Sequence, residues 1–132
     1  MILLREIEVE GARLFVHCTG VDLYAPVPRP VALLVHGYPL DHRMWLDVLQ
    51  SELATTHTLA AVDLRGHGRS PWTGDVVHTM ERMADDLAAV ARTLTDDPVD
   101  LVALSMGGYA AIALCERHPD VVRSLALVDT KA

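Results

Sequence analysis

The chain has 132 residues, 51% of them hydrophobic, and a mean hydropathy of +0.24, which suggests one domain able to bury about two thirds of its unfolded surface and argues against disorder. Eleven basic against eighteen acidic residues give a net charge of −7, a surface that repels nucleic acid and anionic lipid. No apolar run approaches the roughly 18 residues of a membrane span.

Alternating apolar and polar residues predict two strands, near Leu4–Val9 and Arg13–Cys18, joined through Glu10-Gly11-Ala12 as a hairpin. Pro26-Val27-Pro28-Arg29-Pro30 is extended and leads into the wholly apolar run Val31–Val35, which fits a strand covered on both faces. Asp41 can cap a helix reaching about Leu53, with Met44, Trp45, Val48 and Leu49 on one stripe. Leu59–Val62 is the next buried strand, and a Gly-, Pro- and Ser-rich loop runs from Asp63 to Asp75. Thr79 can cap a second helix to about Leu94, with Met80, Met83, Leu87, Val90 and Leu94 at helical spacing. Val99–Leu104 is a strand, Gly107 to about Arg117 a small-residue helix closed by Pro119, and Val122–Val128 a last strand. This rhythm is that of an α/β fold with a mostly parallel sheet flanked by helices, preceded by an N-terminal β-hairpin.

The strongest chemical signal is Ser105, set between a buried strand and a helix, with Ala103 two residues before it and Gly107 two after. A nucleophilic serine must stand proud of a sheet on a sharp, strained turn, and large side chains at 103 or 107 would collide with neighbouring backbone. A helix starting at Met106 would aim its positive end at the reacting centre. The alternative is a buried strand-to-helix turn that merely contains a serine. The segment resembles the nucleophile elbow of the α/β-hydrolase family, G-x-S-x-G, with alanine in place of the first glycine.

Two further segments carry the same resemblance. His36-Gly37-Tyr38-Pro39 follows the first apolar strand and is similar to the family's H-G-x-P loop. The match implies that the backbone N–H groups of Tyr38 and Met106 form an oxyanion hole, while the His36 side chain packs the base of the loop. Asp63-Leu64-Arg65-Gly66-His67-Gly68-Arg69-Ser70 resembles the loop after the family's fourth strand, with Asp63 and Arg65 tying it down by hydrogen bonds. The functional alternative makes His67 a base or Arg69 a substrate clamp. Its glycines are neither a dinucleotide fingerprint nor a phosphate loop, since no helix follows directly and G-K-[ST] is absent. The wording of these motifs, and the ending Leu127-Val128-Asp129-Thr130-Lys131-Ala132, resembles the esterase, enol-lactonase and cofactor-free haloperoxidase branch.

A serine nucleophile needs a base, and the base an orienting acid. In the family these follow the serine in the order acid, then histidine. Of seven histidines only His118 follows Ser105, at the far end of the next helix and so about 20 Å away at about 1.5 Å per residue. The expectation is therefore a single partial domain over 1–132, the α/β-hydrolase fold truncated after its sixth strand, with its acid and histidine absent. Asp129 stands where a few relatives place the acid, and equally where a residue turns the chain out of the sheet. An edge strand at 122–128 is expected to self-associate or to accept a complementing segment.

The implied activity is a serine hydrolase for small ester, thioester or lactone substrates, inactive as the isolated chain. The alternative is a non-catalytic, truncated hydrolase-like module. A nucleotide-binding domain is disfavoured by the His36–Pro39 segment. Tyr38, Leu40 and Trp45 are candidates for one substrate wall, with Trp45 also at core spacing. No metal site, cofactor, nucleic-acid or membrane partner is expected. The N-terminus, Met1 to Glu6, does not read as a secretory signal. Cys18 and Cys115, without C-x-x-C spacing, read as buried thiols of a reducing compartment, with a disulfide as the alternative; the expected location is the cytoplasm.

Overall fold

Residues 31–35 are apolar without interruption because both faces of their strand are covered. In the computed structural model, Val31, Leu33 and Val35 face a core built with two long helices, while Ala32 and Leu34 face a second cluster around Trp45 and Leu49. The structure describes residues 2–25, 27–74 and 78–131. Met1, Pro26, Asp75 and Ala132, which fell in the N-terminal segment, the extended run, the loop end and the family-like ending, lie outside the described residues.

The strands are β1 (Leu3–Val9), β2 (Ala12–Thr19), β3 (Val31–Val35), β4 (Thr58–Val62), β5 (Val99–Leu104) and β6 (Val122–Val128). They form one sheet in the order β1-β2-β4-β3-β5-β6. β1 and β2 make the expected antiparallel hairpin, and β2 joins β4 antiparallel. From β4 onward every pairing is parallel. The expected α/β architecture is therefore present, with β6 on an edge and Ser124, Ala126 and Val128 exposed along it.

α2 (Met80–Leu94) and α3 (Met106–Arg117) cover one face. Thr79 caps α2 as predicted, its hydroxyl oxygen accepting the Arg82 N–H at 3.0 Å. Met83, Leu87 and Val90 of the apolar stripe are buried, with Met80 and Leu94 at its half-buried ends. Among the described residues no helix is long and apolar enough to cross a membrane.

Two expectations need correction. The helix from Asp41 to Leu53 is not continuous: a 3-10 turn at His42–Trp45 leads into the short α1 (Leu46–Leu49), and a second 3-10 turn follows at Glu52–Thr55. Asp41 does cap the first turn, accepting the Arg43 N–H at 2.9 Å. Ser51 then breaks the run. Its hydroxyl donates to the Val48 carbonyl at 2.6 Å and accepts the Leu53 N–H at 3.3 Å, so it ends one turn and starts another. The cysteines are free, but only Cys18 is buried; Cys115, on α3, is half-buried. Burial pushes the Cys18 thiol up to about 11.

One buried ion pair ties the loop after β4 to α2. The Arg65 guanidinium donates twice to Asp86, at 3.0 Å each, and once to the Glu10 carbonyl at 2.6 Å. Both side chains are 2% exposed. Removing one partner strands a charge away from water, so Asp86→Ala is expected to cost about 3–5 kcal/mol. Urea denaturation of the variant against the wild type measures this.

Candidate active site

β5 ends at Leu104 and α3 begins at Met106, leaving Ser105 alone to turn the chain. It does so at φ 48°, ψ −110°, a conformation that L residues adopt only under constraint, at a cost of about 1–3 kcal/mol. The side chain is exposed. The turn is braced from both sides. The Ser105 N–H donates to the Val128 carbonyl at the end of β6 at 3.2 Å, and the Ser105 carbonyl accepts the Gly108 and Tyr109 N–H groups at 2.8 and 3.2 Å.

Close approach explains the residue types around it. A Cβ on Gly107 would lie 2.4 Å from the His36 carbonyl oxygen and 2.8 Å from that of Val35. A Cβ on Gly108 would lie 2.3 Å from Thr130 Oγ1. Ala103, the other small position, is fully buried. Asp129 has φ 48° directly after β6, the geometry of a residue turning the chain out of the sheet.

The loop after β3 lies against this turn. A Cβ on Gly37 would be 3.5 Å from Ser105 Cβ and 3.3 Å from the Leu104 carbonyl oxygen. His36 is fully buried and its tautomer is fixed by its partners. Nδ1 donates to the Gly37 carbonyl at 2.9 Å, and Nε2 accepts the Leu64 N–H at 3.0 Å. Burial lowers its pKa more than the Gly37 hydrogen bond raises it. His36 is thus a neutral bridge between two loops, with neither ring nitrogen free to move a proton.

Asp63, also fully buried, holds a second node. Its carboxylate accepts the His42 N–H at 2.8 Å, the Arg69 N–H at 3.0 Å, His17 Nε2 at 2.9 Å and His42 Nδ1 at 2.9 Å. Burial alone would raise its pKa; these donors, the Arg69 and His42 amides foremost, outweigh that and lower it. Burial likewise lowers His17, against the pull of Asp63. The sequence reading named no metal ligands, yet His17, His42 and Asp63 place donor atoms within 4.8 Å of one another. Their geometry argues for a structural node. The two rings stack at 3.3 Å with 10° between planes, so one ion cannot lie in both ring planes, as imidazole ligation requires.

A cavity of about 480 Å³ adjoins the turn, lined in part by Tyr38, Leu40, His67, Trp72, Met83 and Met106. Tyr38 and Met106 thus share one cavity, Gly37 lies against Ser105, Gly107 lies against the His36 and Val35 carbonyls, and Ala103 is buried in the core. Leu40 lines this cavity as well. Trp45 does not, because it is buried on the opposite face of the sheet with Ala32 and Leu34. His67 donates from Nδ1 to the Arg65 carbonyl at 3.0 Å, leaving Nε2 as an acceptor in the neutral ring. The Arg69 guanidinium lies over the Phe15 ring at 5.6 Å, away from the cavity lining. His118 caps the far end of α3 and pairs with Asp85 at 2.7 Å.

Comparison with known proteins gives these features a context. The profile of the family described as "alpha/beta hydrolase fold" matches residues 30–132. A pimeloyl-[acyl-carrier protein] methyl ester esterase of Neisseria meningitidis serogroup C is 40% identical over 94 residues, which are 71% of this chain and 34% of the relative. A thermophilic esterase from Thermogutta terrifontis, solved bound to malate, superposes with a TM-score of 0.80 at 35% identity, over 100% of this chain and 46% of that one. The thioesterase domain from the curacin biosynthetic pathway superposes with a TM-score of 0.86 at 27% identity, over 98% and 47%. The chain spans about a third of the length of the curated relatives it matches.

Two outcomes are expected. Gly107→Ala forces its methyl group against backbone oxygens and should lose about 1–3 kcal/mol of stability, read as a lowered Tm. The lowered His36 pKa makes a second prediction. Its contribution is fully present above the ordinary imidazole value of 6.5 and is lost as pH falls from there through the lowered folded-state value, because the unfolded chain then binds the extra proton. Denaturation at pH 8, about 6 and about 5 should show stability declining on the acid side, and less steeply in His36→Gln.

Proposed function

The chain belongs to the α/β-hydrolase fold family, and on that premise we propose that Ser105 is the nucleophile of a hydrolase acting on carboxylic ester, thioester or lactone bonds. The relatives named as esterases and as a thioesterase support that substrate range. The observation that carries the assignment is the strained backbone of an exposed Ser105 at the junction of β5 and α3.

In the proposed reaction Ser105 Oγ attacks the carbonyl carbon as a base removes its proton. The new Oγ–C bond places negative charge on the carbonyl oxygen, which the N–H groups of Tyr38 and Met106 stabilise. The alcohol or thiol leaves with the proton returned from the base. Water, deprotonated by the same base, then cleaves the acyl-enzyme and restores the serine. Both oxyanion donors act through main chain, so the identities of Tyr38 and Met106 matter less than the path of the backbone.

The base is not assigned to this chain. His36 is committed to two loops, and His118 is at the opposite end of α3 from Ser105. On this proposal the histidine is supplied by polypeptide other than residues 1–132 and the acid either by that polypeptide or by Asp129, and residues 1–132 alone turn over slower than the complete protein by a factor on the order of 10⁴ or more. Asp129, at its turn after β6, is a positional candidate for the acid. The exposed face of β6 supports a further proposal, that this edge pairs with another polypeptide. Light scattering should then show association of the isolated chain, and a stable monomer would count against it.

A fluorophosphonate probe tests the nucleophile. Applied to the product of the complete gene, it should label Ser105, and Ser105→Ala should abolish labelling. An unlabelled Ser105 in folded protein would refute the assignment and favour a non-catalytic hydrolase-like module.

A further inference from the structure

Asp63 sits where three parts of the chain meet. His17 reaches it from β2, His42 from the 3-10 turn that ends the loop after β3, and the Arg69 amide from the loop after β4. The two imidazoles lie face to face at 3.3 Å, and in the neutral rings each points its one N–H at the same carboxylate. The space around that carboxylate is filled. Asp63 is fully buried, and a Cβ on Gly68 would lie 2.5 Å from its side chain. Glycine at 68 lets the loop close directly over it.

The balance of charge here changes with each proton. With both rings neutral, four N–H groups meet the carboxylate. One imidazolium balances it, charge for charge. A second sets two cations face to face against a single carboxylate, in a buried site that screens them poorly. The other charged groups nearby do not offset it. Asp41 lies 4.0 Å from His42 Nδ1 but is paired with Arg43 at 2.8 Å, and Arg69 adds a positive charge of its own. Burial lowers the His17 pKa more than Asp63 raises it. Burial also opposes ionisation of Asp63, but its donors outweigh that and keep it charged. The ring free to leave is that of His42, whose side chain is 15% exposed on a turn, against 6% for His17 within β2.

His42 also ends the loop that carries Tyr38. His36 holds that loop at its start, its Nε2 accepting the Leu64 N–H, and Asp63 holds it at its end through the His42 N–H and ring. We propose that His17, His42 and Asp63 form an acid-release latch on this loop. With one imidazolium at most, the loop stays fastened to Asp63. A second proton drives His42 off the carboxylate and lets the Tyr38 amide leave its place beside Met106. His17 and His42 are thus positioning residues that act through Asp63. The latch is closed above the ordinary imidazole value of 6.5 and is lost as pH falls from there through the lowered His17 value, because the released form binds the extra proton. Its effect on rate rests on the hydrolase reading above; its effect on the loop does not.

Hydrogen exchange in the complete protein tests the latch. The reporters are the His42 and Leu40 amides, bonded to Asp63 and to the Gly37 carbonyl. With intrinsic exchange divided out, their protection should fall by up to about tenfold per pH unit below about pH 6.5, while β3 and β5 stay protected. His17→Gln keeps a donor for Asp63 and cannot become charged, so the same amides should stay protected to within about twofold. If His17→Gln fails to fold, ring-nitrogen NMR shifts of the wild type decide. Both rings should be charged where the loop opens. Opening with one ring charged, two charged rings under a protected loop, or equal loss in wild type and variant would overturn the proposal. Fluorophosphonate labelling of Ser105 reads the positioning role. The rate at about pH 5.5 relative to about pH 7.5 should be about three- to tenfold higher in His17→Gln than in wild type, a comparison that cancels titration of the base. A merely structural His17 would lower labelling alike at both pH values and leave that ratio at one. An acid-opened loop with Ser105 unlabelled refutes the hydrolase reading alone, whereas labelled Ser105 with a loop that stays protected refutes the latch.

Discussion

α3 approaches the end of β3 so closely that no side chain fits between them. With hydrogen alone at position 107, the first turn of the helix sits against the carbonyl oxygens of Val35 and His36. That approach leaves the chain a single residue in which to pass from β5 to α3, and Ser105 takes up the whole change of direction at φ 48°, ψ −110°. Strain of this kind persists only where the surroundings over-determine it. Here they do: β6 holds the Ser105 N–H through Val128, and the first turn of α3 holds its carbonyl.

The loops that reach this turn are held by buried polar groups. His36 joins the loop after β3 to the start of the loop after β4, and Asp63 gathers the amides of His42 and Arg69 with two imidazoles. Arg65 and Asp86 fasten the same loop to α2. Each node is fully paired, which is the condition under which buried polar groups hold a unique arrangement instead of weakening it. The cavity by Tyr38 and Met106 lies between these fixed loops.

Much of this was legible in the sequence where local signals agreed. The uninterrupted apolar run gave β3 its limits, because both its faces are buried. Thr79 and the stripe through Met83, Leu87 and Val90 gave α2. The spacing of Ala103, Ser105 and Gly107 located the sharp turn. Reading failed where two caps compete within one amphipathic segment, as Asp41 and Ser51 do, so that a helix expected to Leu53 is split into short turns. Trp45, read as both wall and core, belongs to the core of the opposite face. The node at Asp63 was out of reach for a different reason. His17 comes from β2, His42 from a turn after β3 and Asp63 from the end of β4, and only the sheet order brings them together.

The central claim is geometric, and a crystal structure of the complete protein inhibited by a phosphonate ester tests it most directly. The account predicts phosphorus bonded to Ser105 Oγ, with the phosphoryl oxygen about 2.7–3.1 Å from the amide nitrogens of both Tyr38 and Met106. An adduct on another residue, or a phosphoryl oxygen turned away from those two amides, would contradict it.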